Sequence, residues 1–321
     1  MSKIPTKQIV DPESPVVAFV ANDNYAMPLA AAIASVIANL GKNQKIEIFI
    51  VDVGVSAVRK KIVDQLANPN GVKISWIVPP ETYVDTVESL PQGYVERTCY
   101  YKMFIHELLG PGYPQILYLD CDLIVEADIT ELWRAEMGDH YLLAAQDLVN
   151  PFVSSPYGLR NWRELGRDGK DELFNTGVYV LNAAKWHEEG IGPKLVEYLK
   201  EHHQSVRLCD QDAINAVVNN QWGRLDRRWN VLPYMSLARR YSLLSKRQQQ
   251  ALIGEAKLLH FCGPNKPWNF RCKHPKRDRF FFYLDRTQWA GWRPDPFKIN
   301  LGFVIYYLNR TLSRLKKVIP F

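Results

Sequence analysis

The chain has 321 residues, of which 47% are hydrophobic and 23% charged, and its formal net charge is +6. This composition is ordinary for a globular protein with a sizeable core and excludes a fibrous or disordered chain. The five cysteines, an odd number without a C-x-x-C pair, favour reduced thiols over a disulfide framework. No run reaches 18 apolar residues, which argues against a membrane-spanning helix. Residues 1–15 lack the apolar segment of a secretory signal, and we expect them to be flexible.

The first part of the chain alternates predicted strands and helices. Apolar runs at 16–21, 46–52 and 72–78 predict strands that are buried on both faces. An alanine-rich segment at 26–40 and a segment at 56–66 predict the helices between them. This order predicts a parallel, doubly wound sheet.

A polar loop follows the first predicted strand. Asn22, Asp23 and Asn24 lie at a carboxyl end, where open α/β sheets bind their ligands. They could hydrogen-bond a base or a ribose, or they could simply form a turn. No G-x-G-x-x-G is present, so the fingerprint of a dinucleotide site is absent.

Two aspartates one residue apart end the next predicted strand, which covers residues 115–120. In an extended segment Asp120 and Asp122 face the same side, so together they could hold one hard divalent cation. The alternative is a polar turn with Asp as a turn former. Lys102 lies on a predicted helix at 99–109 and either faces solvent or points towards phosphate.

The later segments supply further polar residues at predicted strand and helix ends. A strand at 141–147 ends in Asp147, and the loop at 149–170 is long enough to be an acceptor lid. Strands are predicted at 174–182 and up to His260, and one helix at 186–203. Asp210, Gln211 and Asp212 begin a helix, where acidic residues are ordinary capping chemistry. After His260, Gly263 permits close backbone approach and Lys266 offers charge, which suits a metal–diphosphate site.

Five of these motifs, in this order, resemble glycosyltransferase family 8, above all the bacterial lipopolysaccharide and lipooligosaccharide α-galactosyl- and α-glucosyltransferases. The resemblance extends from about residue 16 to residue 268. It implies a GT-A fold with a Rossmann-like, mostly parallel central sheet and helices on both faces. It also implies a retaining hexosyltransferase that uses UDP-galactose or UDP-glucose with Mn²⁺ or Mg²⁺. The motifs are 19–25 (FVANDNY), 118–122 (YLDCD), 174–178 (FNTGV), 210–212 (DQD) and 260–268 (HFCGPNKPW).

The resemblance also implies roles for single residues. It makes Asp120, Asp122 and His260 the metal ligands. It puts Gln211 under the reacting carbon. The other residues around the donor sugar are Asp147, Asn175 and Asp210. The remaining residues that it assigns to the UDP site are Val20, Ala21, Asn22, Asn24, Lys102, Cys121, Gly263 and Lys266.

Two positions depart from the family pattern, and the mechanism leaves a choice. Asn22 stands where Asp is often found, and Lys102 stands where the nearest relatives carry Arg, which keeps the charge but loses the planar fork.

Gln211 is a poor nucleophile because an amide oxygen is weakly basic. We therefore expect departure and attack on the same face of the sugar. A carboxylate nucleophile from Asp147 or Asp210 is the alternative.

The C-terminal region combines aromatic and basic residues. We divide the chain into a catalytic domain at 16–270 and a membrane-associating region at 271–321 with a helical extension. Such a region suits an anionic membrane surface, and the alternative is a helix that docks on the domain. We expect a cytoplasmic enzyme on the inner face of the membrane that acts on a saccharide or glycolipid acceptor such as the lipopolysaccharide core.

Three other functions deserve comparison with this one. A nucleotidyltransferase that makes UDP-sugar would show a glycine-rich basic loop after the first strand, and residues 21–25 have none. A non-catalytic nucleotide-sugar-binding protein is disfavoured by the intact Asp pair together with His260. Nucleic-acid binding is disfavoured because no recognition motif is present.

Overall fold

The computed structural model describes residues 14–68, 71–91, 96–232, 243–263 and 265–295. The predicted flexible segment at 1–15, apart from its last two residues, and the tail at 296–321 lie outside these ranges. Within them the chain forms nine strands and ten α-helices. The strands are Val16–Ala21 (β1), Ile46–Asp52 (β2), Val72–Ile77 (β3), Gln115–Leu119 (β4), Leu123–Val125 (β5), Leu142–Gln146 (β6), Phe174–Asn182 (β7), Trp222–Arg224 (β8) and Leu258–His260 (β9).

The helices alternate with the strands in the first part of the chain and cluster later. None of the helices in the described ranges is both long and apolar enough to cross a bilayer. The α-helices are Ala26–Asn39 (α1), Ala57–Asp64 (α2), Glu81–Ser89 (α3), Ile105–Leu109 (α4), Thr130–Trp133 (α5), Ala183–Glu188 (α6), Ile191–Glu201 (α7), Asp210–Val218 (α8), Lys246–Gly254 (α9) and Arg277–Leu284 (α10).

A seven-stranded sheet in the order β3-β2-β1-β4-β7-β6-β8 forms the centre of the molecule. Its first four strands are parallel, and β7 runs antiparallel to both of its neighbours, β4 and β6. The mostly parallel sheet predicted from the sequence is confirmed. Because β7 runs antiparallel to β4, the start of β7 lies beside the end of β4, next to the aspartate pair.

The two faces of the sheet are covered by different helices. Along β1, Val17 and Phe19 pack in one core cluster with α1, while Ala18 and Val20 pack in another with α7 and α8. This alternation follows from the period of two in a strand, and burial on both faces explains why β1 is continuously apolar. The predicted helices on both faces are confirmed.

A second sheet of two strands positions the functional residues. Strand β5 begins directly after Asp122 and pairs antiparallel with β9, so that Leu123 lies opposite His260. This pairing brings the last motif of the sequence beside the aspartates that follow β4.

Two local predictions differ from the structure. The helix predicted at 99–109 is a 3-10 helix, Arg97–Phe104, followed by the short α4. The helix predicted at 186–203 is divided into α6 and α7 at Gly190, whose φ of 59° is left-handed. The predicted loop at 149–170 is a loop in the structure, and its Val153 and Leu159 pack with Leu173 in a small core cluster.

Helix α10 packs on α1 and β5. Phe280, Tyr283 and Leu284 are buried in a cluster with Ala31 of α1 and Ile124 of β5. The guanidinium of Arg279 donates two hydrogen bonds of 2.7 Å to the Glu126 carboxylate. The described part of the basic C-terminal region therefore docks on the domain with one of its faces.

Candidate active site

Asp120, Asp122 and His260 meet where β4 ends. The backbone N–H of Asp120 donates to the Gly177 carbonyl of β7 at 2.8 Å, and the pairing of β5 with β9 fixes His260. One ligand atom from each of these three side chains lies within 4.8 Å of the others. The predicted metal ligands are therefore brought together by backbone pairing.

The imidazole of His260 faces the two carboxylates. Its Nε2 lies 3.3 Å from Asp122 Oδ1 and 3.6 Å from Asp120 Oδ2. The ring is only 1% exposed, and Nε2 has no hydrogen-bond partner within the described residues. A buried polar atom without a partner is costly unless a ligand satisfies it. Two carboxylates and one imidazole nitrogen form a donor set that fits Mn²⁺ or a similar divalent cation.

Lys102 is buried among carboxylates. Its Nζ lies 3.0 Å from Asp120 Oδ1 and 3.0 Å from Asp210 Oδ2, and the side chain is 5% exposed. Burial lowers the pKa of Lys102, but Asp120 and Asp210 outweigh it and hold that pKa well above its usual range. The alternative of a solvent-facing Lys102 is therefore wrong.

Lys266 is the second buried cation of the site. Its ammonium is ion-paired with the Asp122 carboxylate and donates to the Phe261 carbonyl at 3.1 Å. Burial raises the pKa of Asp122, but Lys266 and His260 dominate and hold that pKa below its usual range. Gly263, with a φ of 84°, turns the loop between β9 and Lys266.

Beside the carboxylates lies a group of amide and hydroxyl side chains. Asn175 Nδ2 donates to Gln211 Oε1 at 3.1 Å, and Gln211 Nε2 donates to Asp147 Oδ2 at 3.2 Å. The Thr176 hydroxyl donates to Asp210 Oδ2 at 2.8 Å. Burial raises the pKa of Asp147, although backbone N–H donors act against this shift. The four residues predicted around the donor sugar thus lie in one connected network.

The loop after β1 holds the predicted nucleotide residues. Asn22 Oδ1 accepts from the Tyr25 N–H at 3.2 Å, while Asn22 Nδ2 donates to Glu96 Oε2 at 2.8 Å. An Asp at position 22 would instead face the like charge of Glu96, which is a physical reason for the departure from the family pattern. Asn24 is exposed.

Val20, Ala21 and Cys121, which are also predicted at the nucleotide, are buried. Ala21 is fully buried, and its carbonyl accepts from the Val53 N–H at 2.9 Å. Cys121 donates through Sγ to the Val20 carbonyl at 3.2 Å. Burial raises the pKa of the Cys121 thiol well above its usual range. The backbone carbonyls of Val20 and Ala21 are therefore held by neighbouring donors.

One polar residue of the site, Asn230, belongs to none of the sequence motifs. Asn230, at the end of a 3-10 helix, Arg227–Asn230, places its Oδ1 2.9 Å from His260 Nδ1 and donates from Nδ2 to Asn175 Oδ1 at 2.9 Å. No spacing or composition around position 230 marks it. Its role follows only from the fold.

Several known proteins are similar to this chain in sequence or in fold. Residues 16–272 match the family model described as Glycosyl transferase family 8. General stress protein A of Bacillus subtilis is 29% identical over 275 residues, which cover 84% of this chain and 92% of that protein. Lipopolysaccharide 1,2-glucosyltransferase of Escherichia coli K12 is 25% identical over 292 residues, which cover 89% of this chain and 82% of that protein. The crystal structure of galactosyltransferase LgtC with donor and acceptor sugar analogues superposes with a TM-score of 0.71 at 27% identity, covering 85% of this chain and 96% of that one.

Proposed function

Since the chain belongs to glycosyltransferase family 8, we propose that it transfers galactose or glucose from a UDP-sugar to a saccharide acceptor with retention of configuration. The chain has the GT-A fold and is a hexosyltransferase that uses a nucleotide-sugar donor. The observation that carries the finer proposal is the buried, unpartnered His260 Nε2 beside two carboxylates and next to the amide network.

Asp120, Asp122 and His260 would hold Mn²⁺ or Mg²⁺ at the diphosphate. When bound, the ion supplies Lewis-acid stabilisation of the negative charge on the departing UDP. Lys266, in the loop after β9, adds a second positive charge that the diphosphate can bind once the lysine leaves Asp122. Asn22 and Asn24 would bind the uridine, with Val20, Ala21 and Cys121 forming the wall behind it.

The reaction that we propose proceeds on one face of the sugar. The bond from the anomeric carbon to the phosphate oxygen breaks, the acceptor oxygen bonds to the same face, and a phosphate oxygen of UDP takes the acceptor proton. Gln211 Oε1 already accepts hydrogen bonds from Asn175 Nδ2 at 3.1 Å and from the Thr176 N–H at 3.4 Å. Both of its lone pairs are engaged, which supports a positioning role over nucleophilic attack.

The carboxylate alternative has less support. Asp147 Oδ1 accepts from the N–H groups of Val149 and Asn150, at 2.8 and 3.0 Å. Asp210 is ion-paired with Lys102. Both oxygens of Asp147 are thus engaged, since its Oδ2 accepts from Gln211 Nε2, and the Lys102 ammonium weakens the Asp210 carboxylate as a nucleophile. Asp147→Asn and Asp210→Asn variants that retain most of the transfer activity would exclude the covalent route. A glycosyl adduct on either carboxylate, found by intact-protein mass spectrometry with donor alone, would instead establish it.

We also propose that the chain acts on the lipopolysaccharide core at the cytoplasmic face of the membrane. The relative from Escherichia coli named above is a lipopolysaccharide glucosyltransferase. On the outside of α10, Phe282 is 40% exposed and the Arg286 guanidinium stacks 3.6 Å from its ring. Such cation–aromatic pairs suit an anionic interface. Deletion of residues 300–321 should reduce sedimentation with anionic vesicles, and unchanged binding would contradict the assignment of 271–321 as the membrane-associating region.

The activity is tested by UDP release from UDP-galactose and UDP-glucose, with Mn²⁺ and with EDTA. We expect metal-dependent release from one donor by the wild-type protein and its loss in Asp122→Asn. Asp139→Asn is the matched control, because it makes the same substitution at a carboxylate that is 97% exposed. Release that persists in EDTA would contradict the metal site, and the absence of both release and UDP binding would contradict the donor.

A further inference from the structure

Asn230 connects the metal-binding histidine to the amides around the donor sugar. We propose that Asn230 is a positioning residue: it fixes the tautomer of His260, so that the Nε2 lone pair faces Asp120 and Asp122. Asn230 also links the imidazole to Asn175, because it hydrogen-bonds to both side chains. This inference rests on the proposed function, because it gives His260 the role of a metal ligand.

Backbone pairing holds Asn230 in place. The next residue, Val231, donates from its N–H to the Leu258 carbonyl at 3.0 Å and accepts from the His260 N–H at 2.8 Å. Asn230 is 4% exposed, so its side chain has no freedom to turn towards solvent. The Asn230 amide and the His260 imidazole are therefore fixed relative to each other by main-chain bonds on both sides of them.

The orientation of each amide follows from a backbone donor. The Gly177 N–H lies 3.1 Å from Asn175 Oδ1, and because a backbone N–H can only donate, this atom of Asn175 must be its oxygen. Asn230 approaches the same oxygen at 2.9 Å and must present its NH₂ group there. Its carbonyl oxygen therefore faces His260 Nδ1 at 2.9 Å. A carbonyl can only accept, so Nδ1 carries the hydrogen and neutral His260 keeps its lone pair on Nε2.

A second backbone donor fixes the orientation of the Gln211 amide, which is farther along the same run of hydrogen bonds. The Thr176 N–H lies 3.4 Å from Gln211 Oε1, so the Gln211 oxygen faces Asn175 and its NH₂ group faces Asp147. Donation then runs one way along the whole series, and each hydrogen bond polarises the next. The series is His260, Asn230, Asn175, Gln211 and Asp147.

The charge at the end of this series explains what Asn230 does for the metal site. The series ends on a buried carboxylate, that of Asp147, which can only accept and so forbids the reverse direction. Polarisation towards Asp147 increases the basicity of His260 Nε2, as a carboxylate does in metal sites where it binds the histidine directly. Loss of such a partner typically lowers metal affinity about 10–100-fold.

Two substitutions at position 230 separate positioning from packing. Asn230→Leu removes both hydrogen bonds. Asn230→Asp keeps an acceptor for His260 Nδ1–H but opposes Asn175 Oδ1 with a second oxygen. Mn²⁺ affinity, measured by electron paramagnetic resonance without nucleotide, should fall about 10–100-fold in Asn230→Leu and stay near the wild-type value in Asn230→Asp. UDP-sugar binding should weaken in both variants.

Asn161→Leu is the matched control. Asn161 is also buried, and its Oδ1 accepts from the Tyr198 hydroxyl at 3.0 Å, outside the series. It should leave Mn²⁺ affinity unchanged. Wild-type affinity in Asn230→Leu would overturn the proposal, and equal loss in Asn230→Leu and Asn230→Asp would overturn the positioning of the tautomer.

The tautomer can be measured without metal or turnover. Nitrogen-15 spectra of the imidazoles, with His260→Gln for assignment, should show the hydrogen of His260 on Nδ1 in the wild-type protein. A hydrogen on Nε2 would overturn the inference even if Asn230 variants fail to fold. If the wild-type protein binds no Mn²⁺, the proposed metal site itself is wrong; if it binds Mn²⁺ equally well without Asn230, only this inference is wrong.

Discussion

The ammonium of Lys266 is ion-paired with the carboxylate of Asp122, so a lysine satisfies the charge of a proposed metal ligand. Both side chains are mostly buried, which strengthens the interaction relative to a surface pair. We expect a divalent cation to compete with this ammonium for the Asp122 carboxylate, whose Oδ2 contacts the lysine while its Oδ1 faces His260. A lysine displaced in this way would bind the diphosphate, which would make the binding of metal and nucleotide mutually dependent.

Lys266→Met should change Mn²⁺ binding in opposite directions with and without UDP. Without UDP, removal of the competing ammonium should strengthen Mn²⁺ binding about tenfold, equivalent to about 1.4 kcal/mol. With Mn²⁺ present, UDP should bind more weakly because one positive charge at the diphosphate is lost. Isothermal titration measures both effects. Lys257→Met, which removes a surface pair with Glu131, is the control; weaker Mn²⁺ binding by Lys266→Met without UDP would contradict the competition.

Lys102→Met should destabilise the fold because it leaves two carboxylates without their shared cation. Removing one partner of a buried ion pair typically costs about 3–5 kcal/mol, and Lys102 lies 3.0 Å from both Asp120 and Asp210. Chemical denaturation measures the change in the free energy of unfolding. The control is Lys73→Met, which breaks the more exposed pair with Glu47 and should cost at most about 1 kcal/mol. Equal losses in the two variants would show that Lys102 does not neutralise the site.

The sequence predicts most of the aspartate site because its signals are local. Asp120 and Asp122 follow a buried strand and lie in the bend before β5, where both carboxylates face His260. The approach of His260 depends on the register of Leu123 with β9, which no local pattern contains. Asn230 was missed for the same reason, since its contacts arise from the meeting of β9 with a 3-10 turn. These parts of the site arise from backbone pairing between residues that are far apart in the sequence, and not from local secondary-structure propensity.

Two errors have local causes. The helix predicted at 99–109 begins as the 3-10 helix Arg97–Phe104, whose tighter turn directs side chains such as Lys102 differently from an α-helix. The break between α6 and α7 carried a signal, because Gly190 is followed by Pro193 in the first turn of α7. A glycine with proline shortly after it marks the end of one helix and the start of another.

His274 should make stability depend on pH. Burial, helped by Lys266, lowers the pKa of His274 from 6.5 to about 4. Between these values the unfolded chain binds a proton that the folded chain does not, so stability falls as pH drops from about 6.5 to about 4. His274→Gln should remove most of this decline, measured by denaturation at several pH values. His203→Gln, at an exposed position, should show the same dependence of stability on pH as the wild-type protein. If His274→Gln also shows that dependence, the role of His274 is contradicted.

Gly177→Ala should weaken metal binding while the protein still folds. A Cβ at this position would overlap His260 Cε1 and lie 2.8 Å from Asp120 Oδ2. The backbone of Gly177 cannot retreat, because its N–H donates to Asn175 Oδ1 at 3.1 Å and its carbonyl accepts from the Asp120 N–H at 2.8 Å. His260 must move instead, at a cost of about 1–3 kcal/mol in folding free energy. Mn²⁺ affinity should fall at least about tenfold, as for other changes in the support of a metal ligand.

Gly254→Ala is the control for that substitution, because nothing lies within 4 Å of a Cβ at this position of α9. It should bind Mn²⁺ like the wild-type protein and gain about 0.5–1 kcal/mol in stability, since alanine is the better helix former. Thermal melts and Mn²⁺ titrations on the two variants separate misfolding from loss of the site. If Gly177→Ala binds Mn²⁺ normally, His260 is displaced without consequence, and the metal depends on the two aspartates alone.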